Sequence, residues 1–200
     1  MMARVHSIIA ILIAVLGLSG CLGSAPSTRL YQLESIADKA GTEANGRAPT
    51  LLVREVRLPN YLDRPQIVTR GAGYRLHIAE FDQWGGDLRE DMTRVLVQNL
   101  GRALGSQQVF AAPVDIALRP DYRLEVEVLR FERDADGQVR LHARWWLARG
   151  ADLSLLATTE STFSRASASD SYPDLVASMN MVYAELAHAI AASIRKLGGA

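Results

Sequence analysis

The sequence is poor in the side chains that build covalent cross-links and reactive centres. Its 200 residues include one cysteine, Cys21, and four histidines. A chain with a single thiol forms no internal disulfide, so the stability of its fold must come from packing.

The sequence also has no excess of charge of either sign. It contains 22 basic and 22 acidic residues and has a formal net charge of zero. Binding to a phosphate backbone requires a clustered surplus of Lys and Arg. We therefore predict no nucleic-acid partner.

The motifs of common catalytic and cofactor sites are missing. The sequence has no Gly-x-Ser-x-Gly, P-loop, His-Glu-x-x-His or Cys-x-x-Cys motif. His77, His142 and His188 are isolated from one another and lack metal-ligand spacing. Glu125 and Glu127 share a strand face, where we expect them to pair with nearby arginines rather than act as acid and base. We predict that the protein is not an enzyme and uses no cofactor or metal.

The N-terminal residues form a secretion signal that ends at the single cysteine. Arg4 precedes a short apolar stretch, Ile8–Leu16, and the small residues Leu18-Ser19-Gly20 lead to Cys21. This stretch is shorter than the ~20 residues that span a bilayer core. A cysteine after Leu-Ser-Gly is typical of a bacterial lipobox; the alternative is an ordinary signal peptide in which the cysteine falls there by chance. We predict a lipoprotein signal peptide over 1–20, cleavage before Cys21 and acylation of that residue, with palmitate as a suitable label.

The processed chain has the size of a single domain. Removal of 1–20 leaves 180 residues and costs one charged residue, Arg4, so 21 basic face 22 acidic residues. Residues 21–29 are small, polar and contain Pro26, as expected of a lipidated tether. We assign 30–200 to one folded domain and predict that it has no second apolar segment long enough to cross a membrane.

Two hydrophobic periodicities define the predicted fold. Helical spacing follows Asp87, an N-cap candidate, and again follows Ser171, while strand-like segments fill most of the remaining chain. The predicted class is α+β, with a mostly antiparallel β-sheet packed against two main α-helices in a single domain. The predicted strands are Leu30–Glu34, Leu51–Leu58, Gln66–Arg70, Tyr74–Glu80, two within Tyr122–Arg149, and Leu153–Phe163.

The clearest β pattern is a hairpin within Tyr122–Arg149, with an Asp-Gly turn at Asp136-Gly137. Strict alternation predicts one apolar and one charged face. The apolar face contains Leu124, Val126, Val128, Ala143, Trp145 and Leu147, and the charged face contains Glu125, Glu127, Phe131, Arg140, His142, Arg144 and Trp146.

One segment carries a resemblance to a known family. The run Leu58-Pro59-Asn60-Tyr61-Leu62-Asp63-Arg64-Pro65-Gln66-Ile67-Val68 resembles the hallmark of the PqiC/YmbA-like ABC-type transport auxiliary lipoproteins. Trp84 followed by Leu88, the helix around Arg94–Leu100, the lipobox and Tyr31-Gln32-Leu33 fit the same family. The resemblance covers nearly the whole processed chain.

The resemblance implies a location and a set of partners. Such proteins are lipid-anchored in the outer membrane, face the periplasm and work with MCE-domain proteins of the inner membrane in lipid transport and envelope integrity. It therefore implies a non-enzymatic accessory component with an MCE-domain partner, and leaves a homo-oligomer open. The alternative function is a periplasmic lipoprotein that itself binds a lipid or another apolar ligand between sheet and helices, which a continuous apolar cavity would favour.

The residue types of this motif suit a recognition loop. Pro59 and Pro65 restrict the backbone at both ends, and Tyr61 and Arg64 are residue types enriched in binding hot spots. We predict partner-binding roles for Asn60, Tyr61, Asp63 and Arg64, together with Trp84. A structural turn in which Asp63 and Arg64 lock each other is an equal alternative.

Overall fold

The structure is a computed structural model that describes residues 27–36, 48–114 and 117–198. The predicted signal peptide and Cys21 lie outside these residues. The described chain contains eight strands and two helices. In chain order they are β1 (Arg29–Tyr31), β2 (Leu51–Val53), β3 (Gln66–Arg70), β4 (Leu76–Trp84), α1 (Leu88–Leu104), β5 (Val109–Ala111), β6 (Tyr122–Arg133), β7 (Gln138–Arg149), β8 (Leu155–Ala166) and α2 (Tyr172–Gly198).

The strands form two sheets, and their pairing corrects the prediction of a mostly antiparallel sheet. The three-stranded sheet has the order β1-β4-β3, and the five-stranded sheet has the order β5-β2-β6-β7-β8. The pairs β1–β4, β2–β5 and β2–β6 are parallel, whereas β3–β4, β6–β7 and β7–β8 are antiparallel. The sheets are mixed because two kinds of connection occur. Long crossovers allow the short strands β1 and β2 to lie parallel to their partners, whereas hairpins join the antiparallel pairs. The α+β class and the two helices are confirmed.

The first predicted helix is confirmed at both ends. Asp87 caps α1, because its carboxylate accepts hydrogen bonds from the backbone N–H groups of Arg89 (2.8 Å) and Glu90 (3.1 Å). Gly105 ends the helix in the left-handed region, at φ 60°. The predicted apolar stripe of α1, from Leu88 to Leu104, is buried.

Helix α2 is the central helix of the core. It packs against α1 and against β6, β7 and β8. The hydroxyl of Tyr183, a fully buried residue, donates a 2.9 Å hydrogen bond to the carbonyl of Met92 and so fastens α2 to α1.

The apolar character of α2 corrects one expectation about membrane spans. By length and composition this helix could cross a bilayer, with a mean hydropathy of 1.3 over 18 residues. However, 61% of that window is buried inside the protein, as in the core helix of a globular domain.

The β6–β7 hairpin has the predicted register over its first half. Val126 lies opposite Trp145, and Val128 lies opposite Ala143, with all four side chains on the buried face. The register then shifts, because Val128 and Arg130 pair with consecutive residues of β7 and leave Leu129 as an extra residue.

This β-bulge corrects the predicted position of Phe131. An extra residue in one strand moves every later side chain of that strand to the other face. Phe131 therefore lies in the core, only 1% exposed, with its ring 5.8 Å from that of Tyr183. Its neighbour Glu132 takes the place on the charged face.

Candidate partner-binding groove

The motif between Pro59 and Pro65 is a tight loop fixed at both ends. The N–H of Leu62 donates to the carbonyl of Pro59 (2.9 Å), and the Leu62 side chain is buried. The carbonyl of Pro65 accepts a 2.7 Å hydrogen bond from the N–H of Trp84, the last residue of β4. The loop is therefore attached to the strand whose end carries Trp84.

This attachment brings three of the five predicted binding residues together. Asp63, Arg64 and Trp84 line one open groove of about 490 Å³ at the surface. The remaining lining residues come from the loop end and the start of α1: Pro65, Gly85, Gly86, Asp87 and Leu88.

The partner of Asp63 differs from both sequence-based alternatives. Its carboxylate forms an ion pair with the guanidinium of Arg89 in the first turn of α1, rather than with Arg64. The loop is thereby locked to α1, and Arg64 is left out of the lock.

Arg64 lines the groove and keeps one hydrogen-bond donor without a partner among the described residues. Its side chain is half-buried at the groove, and its Nε is shielded from solvent without a hydrogen-bond partner among the described residues. A buried donor without a hydrogen-bond partner costs roughly 1–3 kcal/mol.

Tyr61 and Asn60 lie away from the groove. The hydroxyl of Tyr61 donates a 2.7 Å hydrogen bond to Glu132, whose side chain has no solvent exposure. Burial, followed by the hydrogen bond to this carboxylate, raises the pKa of Tyr61 well above its ordinary value. Asn60 is exposed and does not line the groove. Within the described residues, Tyr61 is part of the packing of the loop.

The buried carboxylate of Glu132 is held by several donors. Arg70 and Arg130 each place Nε 2.8 Å from Oε1, and the backbone N–H of Phe131 donates to Oε2 at 3.0 Å. The guanidinium of Arg70 also lies 5.8 Å from the centre of the Tyr61 ring. This network joins β3, β6 and the loop, and it satisfies a charge that would be costly to bury alone.

The other singled-out polar residues are also paired. Glu125 contacts Arg54 (3.1 Å) and Arg57 (3.4 Å), and Nε2 of His142 lies 2.7 Å from Oε1 of Glu160. Within residues 27–36, 48–114 and 117–198, no group of three or more His, Cys, Asp or Glu side chains is placed to hold a metal ion.

The sequence patterns did not lead us to predict roles for Arg89 and Glu132, although the sequence contains an indication of each. Arg89 occupies the first turn of a helix, where the macrodipole disfavours positive charge, and this indicates an external anionic partner. Glu132 follows a change in the apolar pattern from even positions (Val126, Val128) to odd positions (Leu129, Phe131), which is the mark of a β-bulge.

Comparison with known proteins places the chain in a family. A model of the ABC-type transport auxiliary lipoprotein component family matches residues 31–191. The chain therefore belongs to the ABC-type transport auxiliary lipoprotein components.

Individual relatives agree with this family. The chain is 26% identical over 185 residues to the intermembrane transport lipoprotein PqiC of Escherichia coli strain K12, covering 92% of this chain and 96% of that protein. The PqiC protein of Shigella flexneri matches with the same identity and coverage.

Solved structures support the fold. A crystal structure of an uncharacterized protein superimposes with a TM-score of 0.71 at 22% identity and covers 84% of this chain and 99% of its own. Protein XCC0632 of Xanthomonas campestris superimposes with a TM-score of 0.62 at 17% identity, covering 88% of this chain and 97% of its own.

Proposed function

We propose that this protein is a non-enzymatic accessory lipoprotein of an intermembrane lipid transport system of the MCE type. In this proposal Cys21 anchors it in the outer membrane, and the folded domain faces the periplasm. Its role is positional: the domain docks on an MCE-domain protein and supports the end of the conduit between the membranes.

The observation that carries this proposal is the family match over residues 31–191. It is supported by the relatives named as intermembrane transport lipoproteins, which align over nearly their whole length. The lipobox before Cys21 adds a means of anchoring, because more than one acyl chain gives stable attachment to a membrane.

The groove formed by Asp63, Arg64 and Trp84 is the proposed contact with the MCE-domain partner. A rigid loop loses little conformational entropy on binding, and Arg64 places a positive charge in the lining of the groove that suits a carboxylate. Arginine is among the side chains enriched in binding hot spots, whereas Trp84 is 6% exposed and contributes mainly to the core beneath the groove.

The interior favours docking over the alternative of direct lipid binding. The large side chains of Trp145, Tyr183 and Phe131 are nearly or fully buried and fill space between sheet and helices. A ligand site for an acyl chain would require an apolar cavity in this layer.

Co-purification of the full, lipidated chain with an MCE-domain protein of the same organism tests the proposal. Arg64→Ala should retain the unfolding midpoint of the wild type and weaken the complex by roughly tenfold or more, the equivalent of about 1.4 kcal/mol. Arg54→Ala, which removes another exposed arginine, is the matched control and should bind normally. Wild-type binding by a folded Arg64→Ala variant would remove the groove from the proposal, and failure of the wild type to co-purify would remove the partner.

Self-association stays a prediction, as does the absence of a nucleic-acid partner. Strand β8 is the outer strand of its sheet over twelve residues, Leu155–Ala166, and such an edge can pair with another chain. Sedimentation of the purified protein would give the oligomeric state.

A further inference from the structure

The turn between β3 and β4 presents an unusual apolar surface. We call Tyr74, Leu76 and Ile78 the tip patch; their exposed fractions are 98%, 37% and 52%. Tyr74 also has a φ of 67°, a conformation that a bulky side chain rarely adopts. Leu153, in the turn between β7 and β8, has a similar φ of 61°, so this conformation alone does not distinguish the tip patch.

The turn that carries the tip patch has no acidic residue before Glu80, the exposed residue that follows it on the same strand. Residues 70–79 contain two arginines and one histidine but neither Asp nor Glu, in a chain with 22 acidic residues. Arg75, between Tyr74 and Leu76, is exposed. Apolar and aromatic side chains interleaved with arginine suit the interface of a phospholipid bilayer, where rings lie at headgroup level and guanidinium groups reach phosphates.

The course of the N-terminal chain points toward the same end of the molecule. Strand β1 runs parallel to β4, with Arg29 opposite Asp82, so the N-terminal end of β1 points toward the start of β4. Eight residue steps separate Cys21 from Arg29, and eight separate Tyr74 from Asp82. At about 3.3 Å per residue, each span is at most ~26 Å, so the tether is long enough to bring Cys21 level with the tip patch.

We propose that the tip patch rests in the headgroup region of the phospholipid leaflet that holds the acyl chains of Cys21. This inference rests on the proposed lipid anchor. Two points of attachment, the acylated cysteine and the tip, then fix the orientation of the domain on the membrane. A single flexible tether would leave that orientation free.

The orientation has a direct effect on the groove. Trp84 ends the strand that begins with Leu76 beside the tip, so the groove lies at the other end of β4, about 26 Å from the membrane at 3.3 Å per residue. Contact of the tip patch with lipid would thus present Arg64 to the periplasm, where a partner approaches.

The single cysteine allows a site-specific test on the full chain. Ala72→Cys places a thiol in the exposed tip turn and leaves the tip patch unchanged, and Ala151→Cys places one in the exposed turn between β7 and β8 as the control. Each variant is labelled with an environment-sensitive, thiol-reactive fluorophore. It is then reconstituted in vesicles of phosphatidylethanolamine and phosphatidylglycerol that carry a lipid-borne quencher.

We expect about threefold stronger quenching of the label in Ala72→Cys than in Ala151→Cys, because interfacial residues lie within reach of lipid-borne groups. Adding Tyr74→Ser, Leu76→Ser and Ile78→Ser to Ala72→Cys should reduce quenching to the level of the control. Adding Leu153→Ser and Leu155→Ser, which alter similarly exposed leucines in the other turn, should not reduce it.

The stoichiometry of the label separates the two ways in which the inference could fail. An acylated Cys21 does not react, so one fluorophore per chain reports an intact lipid anchor. One fluorophore per chain with equal quenching at both turns would overturn the tip contact alone. This comparison uses only Ala72→Cys and Ala151→Cys, so it does not depend on whether the triple serine variant folds. Two fluorophores per chain would show that Cys21 is free, which overturns the lipid anchor and the tip contact with it.

Discussion

The hydroxyl of Tyr61 lies 2.7 Å from Oε2 of Glu132, and the Glu132 side chain is closed to solvent. The tyrosine of the family motif is thus a structural residue, which ties the loop to the bulged end of β6.

Tyr61→Phe should therefore destabilise the fold. The ring remains, but Glu132 loses its only hydroxyl donor among the described residues, and a buried acceptor left with one partner fewer costs about 1–3 kcal/mol. Chemical denaturation measures this loss as a lower free energy of unfolding. Asn60→Ala, an exposed neighbour, should change the free energy of unfolding by no more than about 0.5 kcal/mol. Equal effects of the two changes would contradict the structural role of Tyr61.

Asp82 should give the fold a dependence on acidic pH. Hydrogen bonds from Arg29 lower the pKa of Asp82, although burial opposes this shift. A folded-state pKa below the unfolded value means that the stabilisation is present above about pH 4 and is lost as pH falls through the folded pKa. Asp82→Asn should be less stable than the wild type at neutral pH, and the difference should shrink below about pH 4.

Thermal unfolding of both proteins across this pH range measures the effect. Asp170→Asn is the matched control, because that side chain is 99% exposed and its contact with Arg133 is 3.8 Å long. A gap between wild type and Asp82→Asn that stayed constant down to pH 2 would rule out the carboxylate as the source.

Leu186→Ala should open a cavity between α2 and the sheet. Leu186 has no exposed surface, and buried Leu→Ala changes typically cost about 2–5 kcal/mol. The free energy of unfolding by denaturant provides the measurement. Met181 lies on the exposed side of the same helix (42% exposed), so Met181→Ala should lower the free energy of unfolding far less. A similar decrease for both variants would contradict the burial of Leu186.

Cys21→Ala should abolish lipid attachment and leave the fold intact, because the residue precedes the described domain. We expect loss of palmitate incorporation and loss of fractionation with the outer membrane. Ser24→Ala, a substitution in the same tether, should be labelled normally. Palmitate incorporation by Cys21→Ala at the wild-type level would refute the anchor.

Local patterns in the sequence predicted elements whose causes are local. The cap at Asp87, the glycine end of α1 and the first half of the β6–β7 hairpin each depend on residues within a few positions of one another. Strict alternation did not predict the extra residue Leu129. Because of this residue, Phe131 lies on the buried face and Glu132 takes its place on the charged face.

Long-range pairing was harder to predict. The residues of β2, Leu51–Val53, are buried on both faces, as in a parallel strand between two neighbours, but three apolar residues do not specify those neighbours. The family resemblance led to the prediction of Arg64 and Trp84 as groove residues. The ion pair of Asp63 with Arg89 was not predicted, because it joins residues 26 positions apart. Local sequence patterns do not contain that information.

The position of β2 also determines the order in which the protein can assemble. Both of its sheet neighbours, β5 and β6, come later in the chain, so Leu51–Val53 cannot complete its hydrogen bonds until the chain as far as Leu124 is available. The β6–β7–β8 meander, by contrast, joins consecutive strands through short turns and can form as soon as it emerges. Strand β2 is thus completed only after strands that follow it in the chain.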